Sequence, residues 1–186
     1  MPDRTATYAE VNATRRSWRH FTGEVVEPEL VRTIVEEASL APSSMNLQPW
    51  RVVALQGDAI DATADALGGN VEKAREAGTL LVVFGDPNAV ESSDGARGFY
   101  DGGKATRHEF AVRNASLFAM NLLLAAWSHG VATRPMIGFE PFLLREAVKA
   151  PRHWVPVLAI AAGRPDESRP PSPRERADVD EVLRFV

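Results

Sequence analysis

The sequence predicts a single domain built as a two- or three-layer sandwich of helices on a sheet. Three observations carry this reading. Apolar, strand-like runs at Arg51–Leu55, Thr79–Gly85, Val131–Arg134 and Pro156–Ala162 are interleaved with helical runs. The longest helical run, about Lys104 to His129, is apolar on several sides and is expected to be buried from several sides. The 186 residues hold no repeat, low-complexity tract or linker, and are enough for one sizeable core.

The elements follow in order. Thr7 and Glu10 form a capping box that opens a short helix with Tyr8, Val11 and Trp18 inward. Pro28 suits the first turn of a second helix, whose apolar face is Leu30, Val31, Ile34, Val35 and Ala38. Pro42 ends it. Asp58 is expected to cap a helix carrying Ile60, Ala64 and Leu67, closed by Gly68 and Gly69, and Asn70–Ala77 forms another. Ala89–Gly103 is polar and glycine-rich, which predicts a mobile loop and a candidate lid. In the long helix, Phe110, Leu117, Met120, Leu124 and Trp127 mark the main apolar stripe, and Gly130 closes it. Pro141 opens a further helix. Asp166–Arg176 is rich in proline and charge and reads as an extended arm, followed by a short closing element over Asp178–Val186.

Composition narrows the function. The net charge of −4 gives no support to general nucleic-acid binding. The absence of cysteine excludes disulfides, thiol nucleophiles and thiolate metal sites, and fits a cytoplasmic protein. The first ten residues carry no signal-peptide pattern. No apolar run is continuous enough to span a bilayer, since Asn121 interrupts Leu117–Trp127. Neither a membrane nor a nucleic acid is expected as a partner. The four histidines lack metal-ligand spacing, and no nucleophile elbow, P-loop or dinucleotide fingerprint is present.

What remains is chemistry for holding a ligand. Arg15-Arg16-Ser17-Trp18-Arg19 places three guanidiniums and a hydroxyl in five residues, suited to phosphate or to a cationic helix end. Ala41-Pro42-Ser43-Ser44-Met45-Asn46-Leu47-Gln48-Pro49-Trp50 presents amides and hydroxyls to a planar ligand, or satisfies its own backbone. Arg174 and Arg176 alternate in the arm. Such side chains carry no redox chemistry, but they fit a ligand with an anionic tail and a flat heteroaromatic head.

These two motifs, at this spacing, resemble the opening of the FMN-dependent nitroreductase family, and the resemblance continues through Thr79–Gly85, Pro135–Gly138 and Val157–Pro165. It implies an α+β, three-layer α/β/α fold around a mixed, mainly antiparallel sheet, and a homodimer whose C-terminal arms embrace the partner. It implies two FMN sites at the dimer interface. Arg15, Arg16, Ser17 and Arg19 would serve the FMN of their own half-site. Pro42, Ser43, Ser44, Asn46 and Gln48 would come from the other subunit. Pro135, Met136, Ile137 and Gly138 would pass the central ring, Asn70 and Lys73 would touch the ring, and Arg174 and Arg176 would close over the phosphate. Ile137 stands where some members carry an acidic residue. The implied activity is hydride transfer from NAD(P)H, through flavin N5, to a nitroaromatic, quinone or similar small-molecule electron acceptor by a ping-pong cycle, with no protein side chain required as catalyst. Alternatives are a flavin storage or sensing module, a dehalogenase-like enzyme, or a flavin-fragmenting enzyme.

Overall fold

The computed structural model describes residues 7–101 and 106–186. In chain order the helices are α1 (Tyr8–Thr14), α2 (Pro28–Ala38), α3 (Ala64–Leu67), α4 (Val71–Ala77), α5 (Asp94–Asp101), α6 (Arg107–Ser128), α7 (Pro141–Ala147) and α8 (Val179–Val182). The strands are β1 (Trp50–Gln56), β2 (Thr79–Gly85), β3 (Ala132–Met136) and β4 (Val155–Gly163), in spatial order β1-β2-β4-β3. Each of these strand pairs is antiparallel. The parallel component is an isolated bridge from Ser17 to Thr133.

Strand β2 shows why the sheet needs two helical layers. Leu80, Val82 and Phe84 join Leu67, Ala74 and Leu144 on one face, the side of α3, α4 and α7. Leu81 and Val83 join Ile34, Phe118 and Leu122 on the other, the side of α2 and α6. A strand covered on both faces reads as a continuous apolar run, which is why this segment is the clearest strand in the sequence. Fully burying a side chain such as Phe84 or Phe118 contributes about 1.5–3 kcal/mol.

Several expectations are corrected. Ala89–Gly103 is not a loop as far as Asp101. A 3-10 stretch, Pro87–Ser92, leads into α5, and Val90, Ala96 and Tyr100 pack on Phe110 and Ala111. Residues 102–103, the end of the predicted lid, lie outside the described residues, as does the expected helix start at Lys104. Asp58 caps nothing; it sits in the first turn of a 3-10 stretch, Gly57–Thr63.

In α6 the predicted stripe is divided. Phe110 and Trp127 are buried, but Leu117 and Met120 are exposed, and the sheet-facing side is built from Ala111, Ala115, Phe118, Ala119 and Leu122. Alanines count little in a hydropathy stripe, yet they let a helix approach a sheet closely. By length and composition α6 is also apolar enough to cross a membrane, despite Asn121, although 56% of its most apolar window is buried within the protein.

Two glycines set close approaches between layers. A Cβ on Gly163, at the end of β4, would lie 2.1 Å from the Ala77 carbonyl oxygen. A Cβ on Gly85 would lie 2.5 Å from the Ala111 carbonyl oxygen. Both obstacles are backbone, which cannot rotate away. Gly163→Ala is therefore expected to destabilise the protein by about 3 kcal/mol, measured as a lower urea midpoint with an unchanged slope.

Candidate active site

Helix α1 ends at Thr14, whose hydroxyl accepts a hydrogen bond from Trp127 Nε1 at 2.9 Å. Its cap, Arg15, already has extended backbone, with φ −56° and ψ 131°. The chain then zips onto the sheet. Ser17 bridges Thr133, and the Trp18 N–H donates to the Thr133 carbonyl at 3.0 Å. Phe21 bridges Pro165, and the Thr22 N–H donates to the Arg164 carbonyl. Trp18 is buried beside Trp127, with ring centroids 6.1 Å apart. An arginine-rich segment is thus pinned to the sheet at both ends of a bend at Arg19, its backbone tied down at Ser17, Trp18 and Phe21.

Those side chains line a cavity of about 510 Å³. Its walls are Arg15, Arg16, Ser17, Arg19 and His20 from this segment, Arg134 and Pro135 from β3, and Arg169, Pro170, Pro171, Ser172, Arg174 and Arg176 from the arm. The lining carries guanidiniums and no carboxylate among the described residues, in a protein whose net charge is −4. Burial, then the neighbouring Arg176 and Arg16, push the Arg15 guanidinium below its ordinary value. Burial, then Arg19, does the same to Arg134. Arg15 Nε is buried without a hydrogen-bond partner. Clustered, part-desolvated cations of this kind call for an anion.

The arm crosses the cavity from an anchored start. Asp166 Oδ2 accepts from Arg169 Nε at 2.6 Å, and Asp166 Oδ1 accepts from the Ser168 hydroxyl at 2.6 Å. The Asp166 N–H donates to the His20 carbonyl, and Arg169 also reaches Glu76 at 3.5 Å. Glu76 in turn meets His20 Nδ1 and the Phe21 N–H, both at 3.3 Å.

The polar loop lies elsewhere. Pro42, Ser43, Ser44, Asn46 and Gln48 do not line this cavity. The Ser44 N–H donates to Asn114 Oδ1 at 2.8 Å, and the Tyr100 hydroxyl donates to Ser44 Oγ at 2.7 Å. The Gln48 N–H donates to Ser43 Oγ, and Gln48 Nε2 donates to Asn46 Oδ1 at 3.2 Å. Met45, Asn46 and Gln48 have φ of 52°, 52° and 45°, left-handed values that non-glycine residues rarely hold. Strain of this kind persists where surrounding contacts over-determine the backbone, and it concentrates at ligand sites.

The remaining predicted residues form a third group. Asn70 Nδ2 donates to the Gly138 carbonyl at 2.9 Å, and Lys73 Nζ donates to the Gly69 carbonyl at 3.2 Å. The Met136 side chain is buried in the core, which leaves its backbone alone for any ligand contact. Ile137 is 80% exposed. Sequence reading missed Arg134, His20 and Arg169. Arg134 immediately precedes the singled-out Pro135, and an arginine in so short an apolar strand was the available signal.

The nitroreductase family profile matches residues 13–164. The chain belongs to the nitroreductase family. A Thermus thermophilus NADH dehydrogenase is 29% identical over 179 residues, 86% of this chain and 87% of that one. The 5,6-dimethylbenzimidazole synthase of Rhodospirillum rubrum is 31% identical over 183 residues, covering 87% and 83%. The FMN complex of a nitroreductase-type protein from Exiguobacterium sibiricum superposes with a TM-score of 0.86 at 24% identity, over 98% of each chain, a likeness of fold. The family match spans the arginine segment, the polar loop and all four strands. The arm lies beyond it.

Hydrogen bonds to Ser168 and then Arg169 hold the Asp166 carboxyl down at about 2. Its folded value is lowered, so the anchoring it provides is complete above the ordinary carboxylate value of about 3.9 and lost as pH falls to about 2. Protection of the Ser168 amide against hydrogen exchange is expected to fade over that window. At pH 8, Asp166→Asn is expected to speed trypsin cleavage after Arg174 and Arg176 by a factor of a few.

Proposed function

We propose that this nitroreductase-family protein is an FMN-dependent NAD(P)H oxidoreductase that works as a homodimer in the cytoplasm. The observation that carries the reading is the guanidinium-lined cavity around Arg15, with a buried donor awaiting an acceptor. That donor set fits a flavin phosphate. Arg15, Arg16, Ser17, Arg174 and Arg176 would hold the phosphate and ribityl end, with Arg19 further along the cofactor. The backbone of Pro135, Met136, Ile137 and Gly138 would edge the ring, with Asn70 and Lys73 beside it. The chemistry that FMN supplies when bound is two-electron transfer at N5, from NAD(P)H to a nitroaromatic, quinone or similar electron-poor acceptor, in a ping-pong cycle. Among the described residues the cavity lining holds no carboxylate to act as a base, and solvent supplies protons.

The dimer is supported by what one chain leaves uncovered. Leu117 and Met120 are 50% and 41% exposed on a helix whose other large apolar side chains are covered. Val179, Val182, Leu183 and Phe185 stand exposed beyond the arm. A second copy covers such surfaces, and it brings Pro42, Ser43, Ser44, Asn46 and Gln48 to the first copy's cofactor. The 31% identity to a 5,6-dimethylbenzimidazole synthase favours a second reading, breakdown of the reduced flavin itself.

The purified protein is expected to be yellow, or to become so with FMN, and to bleach without oxygen on adding NADH or NADPH. A protein that stays colourless with FMN would end the flavin reading. Yellow colour that neither nicotinamide bleaches would leave a storage or sensing module. Re-admitting air separates the two enzyme readings: clean return of the FMN spectrum supports the oxidoreductase, and release of dimethylbenzimidazole supports the synthase.

The double variant Leu117→Arg/Met120→Arg is expected to shift the protein to monomer in sedimentation and to lower FMN affinity at least tenfold, each desolvated arginine opposing association. An unchanged dimer would place the seam elsewhere.

A further inference from the structure

Both polar groups of Ser44 are held from the interior of the protein. Its N–H donates to Asn114 Oδ1 at 2.8 Å, and Asn114 Nδ2 donates to the Phe110 carbonyl at 2.7 Å. Asn114 is buried, and turning its amide over would set oxygen against carbonyl and NH2 against N–H. Only one orientation satisfies both neighbours. The Ser44 hydroxyl meets the Tyr100 hydroxyl at 2.7 Å. Tyr100 is buried as well, with its ring centroid 4.8 Å from that of Phe110 and 5.0 Å from that of Phe99.

The proton between these two hydroxyls belongs to the tyrosine. A phenol ionises at about 10. It is a stronger acid than an alkyl alcohol, and its oxygen is the poorer acceptor. Tyr100 therefore donates and Ser44 accepts, which leaves the serine's own proton uncommitted. Ser43 is in the same state, since its Oγ accepts the Gln48 N–H at 3.0 Å. Neither hydroxyl has an acceptor for its proton among the described residues. Serines elsewhere in the chain behave otherwise. Ser39, Ser92, Ser116 and Ser128 each donate to a backbone carbonyl earlier in the chain. Accepting one hydrogen bond also polarises an O–H and strengthens it as a donor. Ser43 and Ser44 are half-buried, so their protons remain open to a group from outside the chain. Such a group must be an acceptor.

We propose that Tyr100 is a positioning residue that acts through Ser44, holding its hydroxyl as a hydrogen-bond donor to the cofactor of a second copy. Tyr100 needs no contact with the ligand for this. The inference rests on the flavin reading, in which the polar loop meets FMN. FMN suits a fixed donor, because its phosphate and ring carbonyl oxygens are acceptors.

The test is a double-variant cycle, read as the FMN dissociation constant of each FMN-free protein from flavin fluorescence. Tyr100→Phe keeps the ring and its contacts and removes the hydroxyl. It is expected to weaken FMN binding about 3- to 10-fold, the worth of one neutral hydrogen bond. Ser44→Ala is expected to weaken it at least as much. The double variant is expected to bind FMN no worse than Ser44→Ala, because without the serine hydroxyl the tyrosine has nothing to position. A purely structural role for Tyr100 would weaken binding whether serine or alanine stands at position 44. That multiplicative result would overturn the proposal, and so would FMN binding by Tyr100→Phe equal to wild type. Wild type that takes up no FMN would end the flavin reading and this proposal with it. Wild type that binds FMN while the cycle fails would remove the positioning role alone.

Discussion

The candidate site depends on the docking of the Arg15–Thr22 segment onto the ends of β3 and β4. Its key bond runs from the Trp18 N–H to the Thr133 carbonyl. Around it, the Ser17–Thr133 and Phe21–Pro165 bridges and the buried ring of Trp18 fix the segment at several points. Without that attachment, a run of arginines would spread into solvent, where screening separates like charges. With it, guanidiniums from three parts of the chain are forced to share one cavity. The sheet and its two cores supply the stability, and the site draws on it.

The anchoring network beneath the arm serves the same end. Glu76, Asp166 and Arg169 meet around His20 and Phe21, so the chain that crosses the cavity is tied to the segment forming the opposite wall. The acidic groups sit under the arm's first residues and stay out of the cavity lining. A cationic site can therefore persist in a protein of net charge −4.

The polar loop is a separate device. Left-handed backbone at Met45, Asn46 and Gln48 is held by Tyr100 and Asn114, side chains from α5 and α6. Part of its hydrogen-bonding capacity is spent on itself. Asn46 and Gln48 are still exposed, at the opposite edge of the sheet from the arginine segment: the loop leads into β1, and the arginine segment adjoins β3. One chain alone therefore keeps the two motifs apart, as the proposed completion of the site by a second copy requires.

Much of this was written in local chemistry. The capping box at Thr7, the both-faces-buried run of β2, the ends of α2 and α6, and the arginine and polar-loop motifs follow from residue type and spacing, because caps, periodicity and charge act over a few residues. Arg15, Arg16, Ser17, Arg19, Arg174 and Arg176 could be singled out for the same reason, whereas Pro135 came from the family resemblance. The fold had to decide that Arg134 joins the arginine segment in one cavity, that Arg169 is an anchor, that the glycine-rich stretch to Asp101 becomes helix around Tyr100, and that Leu117 and Met120 turn outward. Each of these depends on which distant backbone lies alongside, through strand register, layer spacing and the order β1-β2-β4-β3, and such long-range pairings leave no local pattern in the sequence.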